Sequence, residues 1–131
     1  MSDREHAEEL LEAARRDLRA VRAMTDTEAF PDEIFGFHAQ QAVEKALKSW
    51  LASLGVLFPK THDLQRLIDL LAANGALTNG LDSFVDLNAF AVQYRYESLY
   101  SDEEAIERDS VMKRIETLIS RVAAAILPPP T

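Results

Sequence analysis

Arg95 stands between two tyrosines, Tyr94 and Tyr96, where the pattern of a fourth helix gives way to an aromatic-rich loop. A guanidinium held between rings offers a planar fork of donors for phosphate and a face on which a base can stack. The same side chain can instead brace the loop by pairing with Glu97 or Glu104. Glu104 and Arg108 share the inward face of the last helix with Met112, Ile115 and Ile119. There they form an i, i+4 pair or, with Arg95 close by, an anion-binding corner. His62 follows Thr61, the expected N-cap of a third helix, so free backbone amides and a positive helix end converge beside it. A capping histidine bonded to a carbonyl is the plainer reading.

The second helix carries the remaining polar candidates. Gln40 projects into its apolar arc, Glu44 sits at the arc's boundary, and Gln41, Lys45 and Lys48 project outside. An amide is costly to bury alone, so Gln40 is expected to hydrogen-bond across the bundle or across a subunit interface. Glu44 precedes Lys48 by four residues, the favourable order for an ion pair. Lys45 and Lys48 read either as a solvated face or as phosphate ligands. His38, at the edge of the arc, reads as a packed structural residue.

The elements that must position these groups are all helical. Ser2-Asp3-Arg4-Glu5 matches a capping box, and Ala7, Leu10, Leu11, Ala14, Leu18 and Val21 continue one apolar stripe behind it. Pro31 suits the first turn of a second helix, which runs to Leu54 and ends on Gly55 as a left-handed cap. Its arc, from Phe35 through Trp50 to Leu54, is wide enough to require more than one neighbouring helix. A third helix is predicted from Thr61 to Asn74 and a fourth from about Leu81 to Val92, with Phe84, Val85, Leu87 and Phe90 inward. A second capping box, Ser101-Asp102-Glu103-Glu104, opens a last helix reaching about Ile126. No segment alternates with period two long enough to form a sheet. The prediction is an all-α, up-and-down bundle of four long helices plus one shorter helix. It forms a single domain over residues 1–127, with 128–131 a disordered Pro-rich tail.

Bulk properties narrow the function. With 131 residues the chain is long enough for one hydrophobic core and too short for two. It has no cysteine, so disulfides and thiolate metal sites are excluded. Its three histidines, His6, His38 and His62, are too scattered to suggest a metal site. No metal and no cofactor are expected. No apolar run reaches the roughly 18 residues needed to span a membrane, and the charged N-terminus lacks a signal-peptide core. The expected location is cytoplasmic. A net charge of −8 opposes sequence-blind binding to nucleic acid, since an acidic surface repels phosphate backbones. Yet Lys45, Lys48, Lys60 and Arg66 face a single intervening acid on the stretch between them, Asp63. Such a local basic patch suits a small anion or an acidic partner.

Three motifs in order, Gln40-Gln41-x-x-Glu44-Lys45-x-x-Lys48, Thr61-His62-Asp63-Leu64 and Tyr94-Arg95-Tyr96, resemble the HEPN family over most of the chain. The resemblance implies a helical bundle that commonly dimerises, with many members encoded beside a minimal nucleotidyltransferase as toxin–antitoxin pairs. Toxic members cleave RNA with an arginine followed four to six residues later by histidine. In that chemistry imidazole moves the proton while arginine steadies the phosphate. Here Arg95 is followed by Tyr96-Glu97-Ser98-Leu99-Tyr100-Ser101-Asp102, with no histidine. A tyrosine, with an ordinary pKa of about 10, is a poor replacement near neutral pH. The resemblance therefore implies no catalytic residue. The leading expectation is a homodimer that binds a nucleotide through Arg95, with Tyr94, Tyr96, His62 and Lys48 beside it and Gln40, Glu44, Glu104 and Arg108 in support. The alternatives are a degenerate ribonuclease using Arg95 with Glu97 or His62, and a purely structural dimeric interaction module.

Overall fold

Ser2 caps the first helix as its neighbours require: its hydroxyl accepts from the Glu5 amide at 3.1 Å and donates to the Glu5 carboxylate at 3.1 Å. Helix α1, Asp3–Ala23, then buries Ala7, Leu11, Ala14, Leu18 and Val21. Helix α2 spans Asp32–Ser53, with Pro31 one position outside it as the N-cap. At its far end Gly55 adopts φ 72°, and the Val56 amide reaches back to the Leu51 carbonyl at 3.0 Å. This is the cap in which a left-handed glycine lets orphan carbonyls find donors. Helix α3, Leu64–Ala73, is followed by a 3₁₀ helix, Leu81–Phe90, and by helix α4, Arg108–Ile126. The computed structural model describes residues 2–91 and 105–126.

Helices α1, α2 and α4 pack against one another, while α3 and the 3₁₀ helix pack on α2 and on each other. Helix α2 is the centre of the fold and is buried on nearly every side, from Phe35 and Ala39 through Val43 and Leu47 to Leu51. The wide arc in its sequence has this cause, since four other elements lean on it. The all-α bundle of five helices is therefore present, and among the described residues there is no strand. Three of the helices are long, and two span ten residues each.

Besides the start of α2, three elements differ from expectation in bounds or type. The cap of α3 is Asp63, whose carboxylate accepts from the Gln65 amide at 3.0 Å, while Thr61 accepts from the Asp63 amide one turn earlier. Asn88 of the 3₁₀ helix moves the start: its carbonyl oxygen takes the Leu64 amide and its amide donates to Asp63. The fourth helix is 3₁₀ because Leu81, Phe84, Leu87 and Phe90 recur every three residues. Three residues per turn place all four on one buried face. The last helix begins at Arg108, and residues 105–107 are irregular. There the Ile106 amide donates to Asp32 at 3.1 Å, and this tertiary tie competes with helical pairing.

Gly36 shows how closely the 3₁₀ helix approaches α2. A Cβ at Gly36 would lie 2.2 to 2.4 Å from three ring atoms of Phe90, itself buried. Gly36→Ala should gain about 1 kcal/mol of helix propensity but lose about 2 to overpacking. The expected result is a melting temperature lower by roughly 4 °C. A higher melting temperature would show that the Phe90 ring is not seated there.

Candidate functional site

Gln40, Glu44 and Lys48 lie at successive four-residue steps on α2, so they share one face and stack along it. The segment leading into α3 crosses this face and brings His62 onto it. Glu44 is the hub. Its Oε1 accepts from His62 Nδ1 at 2.7 Å and from Gln40 Nε2 at 3.2 Å, and its Oε2 accepts from Lys48 Nζ at 3.0 Å. Gln40 also donates to the His62 carbonyl at 3.0 Å and accepts from Gln41 at 2.8 Å. Every polar atom of the fully buried Gln40 side chain is thereby satisfied.

The burial pattern gives the cluster its character. Side-chain exposure is 5% at Glu44 and 14% at Lys48 but 65% at His62. A carboxylate offers only lone pairs, so it fixes the histidine with the proton on Nδ1 and turns Nε2 away from the core. Nε2 has no hydrogen-bond partner among the described residues. An inward carboxylate orienting an outward imidazole can pass a proton. Lys60 and Arg66, close to His62 in sequence, are exposed and have no ion pair among the described residues. Of the four basic residues expected to form one patch, Lys45 lies apart, bonded to Asp17, and Lys48 is drawn into its pair with Glu44.

Of the site residues read from the sequence, Gln40, Glu44, Lys48 and His62 come together. The boundary position of Glu44 becomes burial, and Lys48, expected to project outward, is drawn down by the carboxylate beneath it. Arg108 is placed elsewhere. Its Nη1 donates to the Met24 carbonyl at 2.9 Å, and its Nη2 to the Phe30 carbonyl at 2.6 Å and to Asp32 at 3.0 Å. Its guanidinium lies over the Phe35 ring. In this position it pins α4 to the α1–α2 junction. Tyr94, Arg95, Tyr96 and Glu104, together with Glu97, the Ser101 capping box and the tail, lie outside the described residues.

A second cluster was not foreseen. Asp17 of α1 accepts from Lys45 at 2.7 Å and faces His38 Nδ1 at 3.2 Å, tying α1 to α2. The charged residue inside the apolar stripe of α1 was its only sequence signal, and nothing local named its partners. Among the described residues no group of three or more histidines and acids is placed to hold a metal ion, and no helix is long and apolar enough to cross a membrane.

A family model described as HEPN domain matches residues 7–124, nearly the whole chain. No curated protein and no solved structure matches the chain.

Proposed function

This chain belongs to the HEPN family, and we propose that it is a member that does not cleave RNA: a homodimer that binds a nucleotide or nucleotide-bearing partner. In this reading it works with a minimal nucleotidyltransferase in a toxin–antitoxin-like pair. The observation that carries the proposal is the absence of histidine from Tyr96 to Asp102, after the arginine that ribonucleolytic members pair with one. Arg95 then serves to hold phosphate, with Tyr94 and Tyr96 as stacking surfaces. His62, fixed by Glu44 beside Lys48, supplies a second contact.

The same dyad favours one rival reading. An imidazole oriented by a buried carboxylate is equipped for proton transfer, so His62 is where a degenerate ribonuclease activity would reside. One protein preparation separates the two. Incubated with RNA, it is expected to show no cleavage that depends on Arg95 or His62. With ATP or GTP near ten times Kd, stabilisation of about 1.4 kcal/mol should raise the melting temperature by roughly 5 °C. Arg95→Ala and His62→Ala should each diminish that rise. Cleavage lost in either variant would establish the ribonuclease reading, and no shift with any nucleotide would leave a structural interaction module.

A further inference from the structure

Among the described residues, five of the nine arginines sit beside a carboxylate. Arg4, Arg15, Arg19, Arg22 and Arg108 each lie within 4 Å of a glutamate or aspartate oxygen. Arg114 and Arg121 of α4 do not, among the described residues. They line one cleft of about 400 Å³, between α4 and the start of the 3₁₀ helix. Seven residues apart, they stand on one face of α4, about 10 Å from each other along its axis.

Among the described residues, both guanidiniums rest against neutral groups. Arg121 lies over the Trp50 ring, 5.3 Å from its centroid, and donates to the carbonyls of Leu77 and Asn79. Arg114 lies 5.7 Å over the Phe84 ring and makes only long bonds, 3.4 Å each, to the carbonyls of Ser83 and Ser110. A carbonyl satisfies a donor without cancelling its charge. Two positive charges are thus kept at the walls of a cleft whose floor, Leu81, Phe84 and Leu118, is buried and apolar. A low-polarity floor strengthens any charge interaction above it. Asp82 also lines the cleft, but it is exposed and forms no ion pair with either arginine.

The geometry points to a binding site for a small organic anion. A single ring or branched apolar body would rest on Phe84 and Leu118, and one phosphate or carboxylate would sit between Arg114 and Arg121. The volume falls within the range of small-molecule pockets, and guanidiniums bind such oxyanions through paired N–H donors. None of the lining residues belongs to the Glu44 cluster, so this site stands or falls apart from the nucleotide reading above.

Phenyl phosphate and the uncharged benzyl alcohol are suitable probes, titrated into the full chain while backbone amides are followed by NMR. Phenyl phosphate is expected to shift Gly80, Ser83 and Thr117 saturably, with Kd below about 1 mM. Benzyl alcohol should bind at least about tenfold more weakly, and Arg114→Gln should weaken phenyl phosphate by a similar factor. Arg121→Gln should do the same but also move the amides of Leu77 to Asn79, whose turn it holds. Arg114→Gln is therefore the decisive variant, because its own bonds are weak and its loss leaves the turn in place. The proposal is overturned by any of three results: no saturable shift at about 10 mM, shifts centred on His62 instead, or equal affinity for the neutral probe or the Arg114→Gln protein.

Discussion

Glu44→Ala is expected to lower the melting temperature by roughly 10 °C, the counterpart of about 3 kcal/mol. The carboxylate is almost fully buried and receives three donors, so truncation takes an acceptor from each. Gln40 keeps its bond to the His62 carbonyl, but Lys48 is left as a nearly buried ammonium with no counter-charge. Removing one member of a buried pair costs far more than the pair contributes, because the survivor remains desolvated. Adding Lys48→Met to Glu44→Ala should therefore recover part of the loss. His62→Ala alone should cost only about 1 kcal/mol, since the imidazole is largely exposed and water can replace it. A Glu44→Ala protein melting within about a degree of the parent would mean that the network does not exist as described.

Arg108→Ala should produce a loss of similar size, about 3 kcal/mol, for a different reason. This side chain is 11% exposed and bonds two main-chain carbonyls as well as Asp32. The Met24 and Phe30 carbonyls lie where α1 ends and α2 begins, outside either helix's own bonding. Without the guanidinium they lose their donors, and the Phe35 ring loses the cation above it. Arg108→Lys is expected to recover less than half the loss, because one ammonium cannot span acceptors on three residues. Denaturant unfolding of the parent, alanine and lysine proteins measures this directly. A lysine variant equal to the parent would reduce the contact to simple charge.

The two variants also separate stability from function. Glu44→Ala frees the His62 ring and should weaken nucleotide-dependent stabilisation beyond its effect on folding. Arg108→Ala touches none of the Glu44 cluster and should leave that stabilisation intact in the fraction that remains folded.

Much of the fold was legible along the chain. The stripe of α1, its Ser2–Glu5 box and the Gly55 cap are local arrangements, decided by residues within a few positions of one another. The one misread periodicity was local too: Leu81, Phe84, Leu87 and Phe90 keep a strict three-residue step, which belongs to a 3₁₀ rather than an α-helix. The site was legible in part. Gln40, Glu44 and Lys48 declare themselves by four-residue spacing, and His62 by its place before α3.

What the order of residues determined by itself is the helical class, the family and the missing ribonuclease histidine, because each depends on residue type and short-range spacing. What the tertiary structure decided is which charges meet. Glu44 chose His62 eighteen residues away, Asp17 found Lys45 across two helices, and Arg108 took carbonyls from the α1–α2 junction. Arg114 and Arg121 were left lining a cleft with no ion pair among the described residues. Such pairings follow from how helices cross and how deeply each group is buried, and a sequence read one turn at a time carries neither quantity.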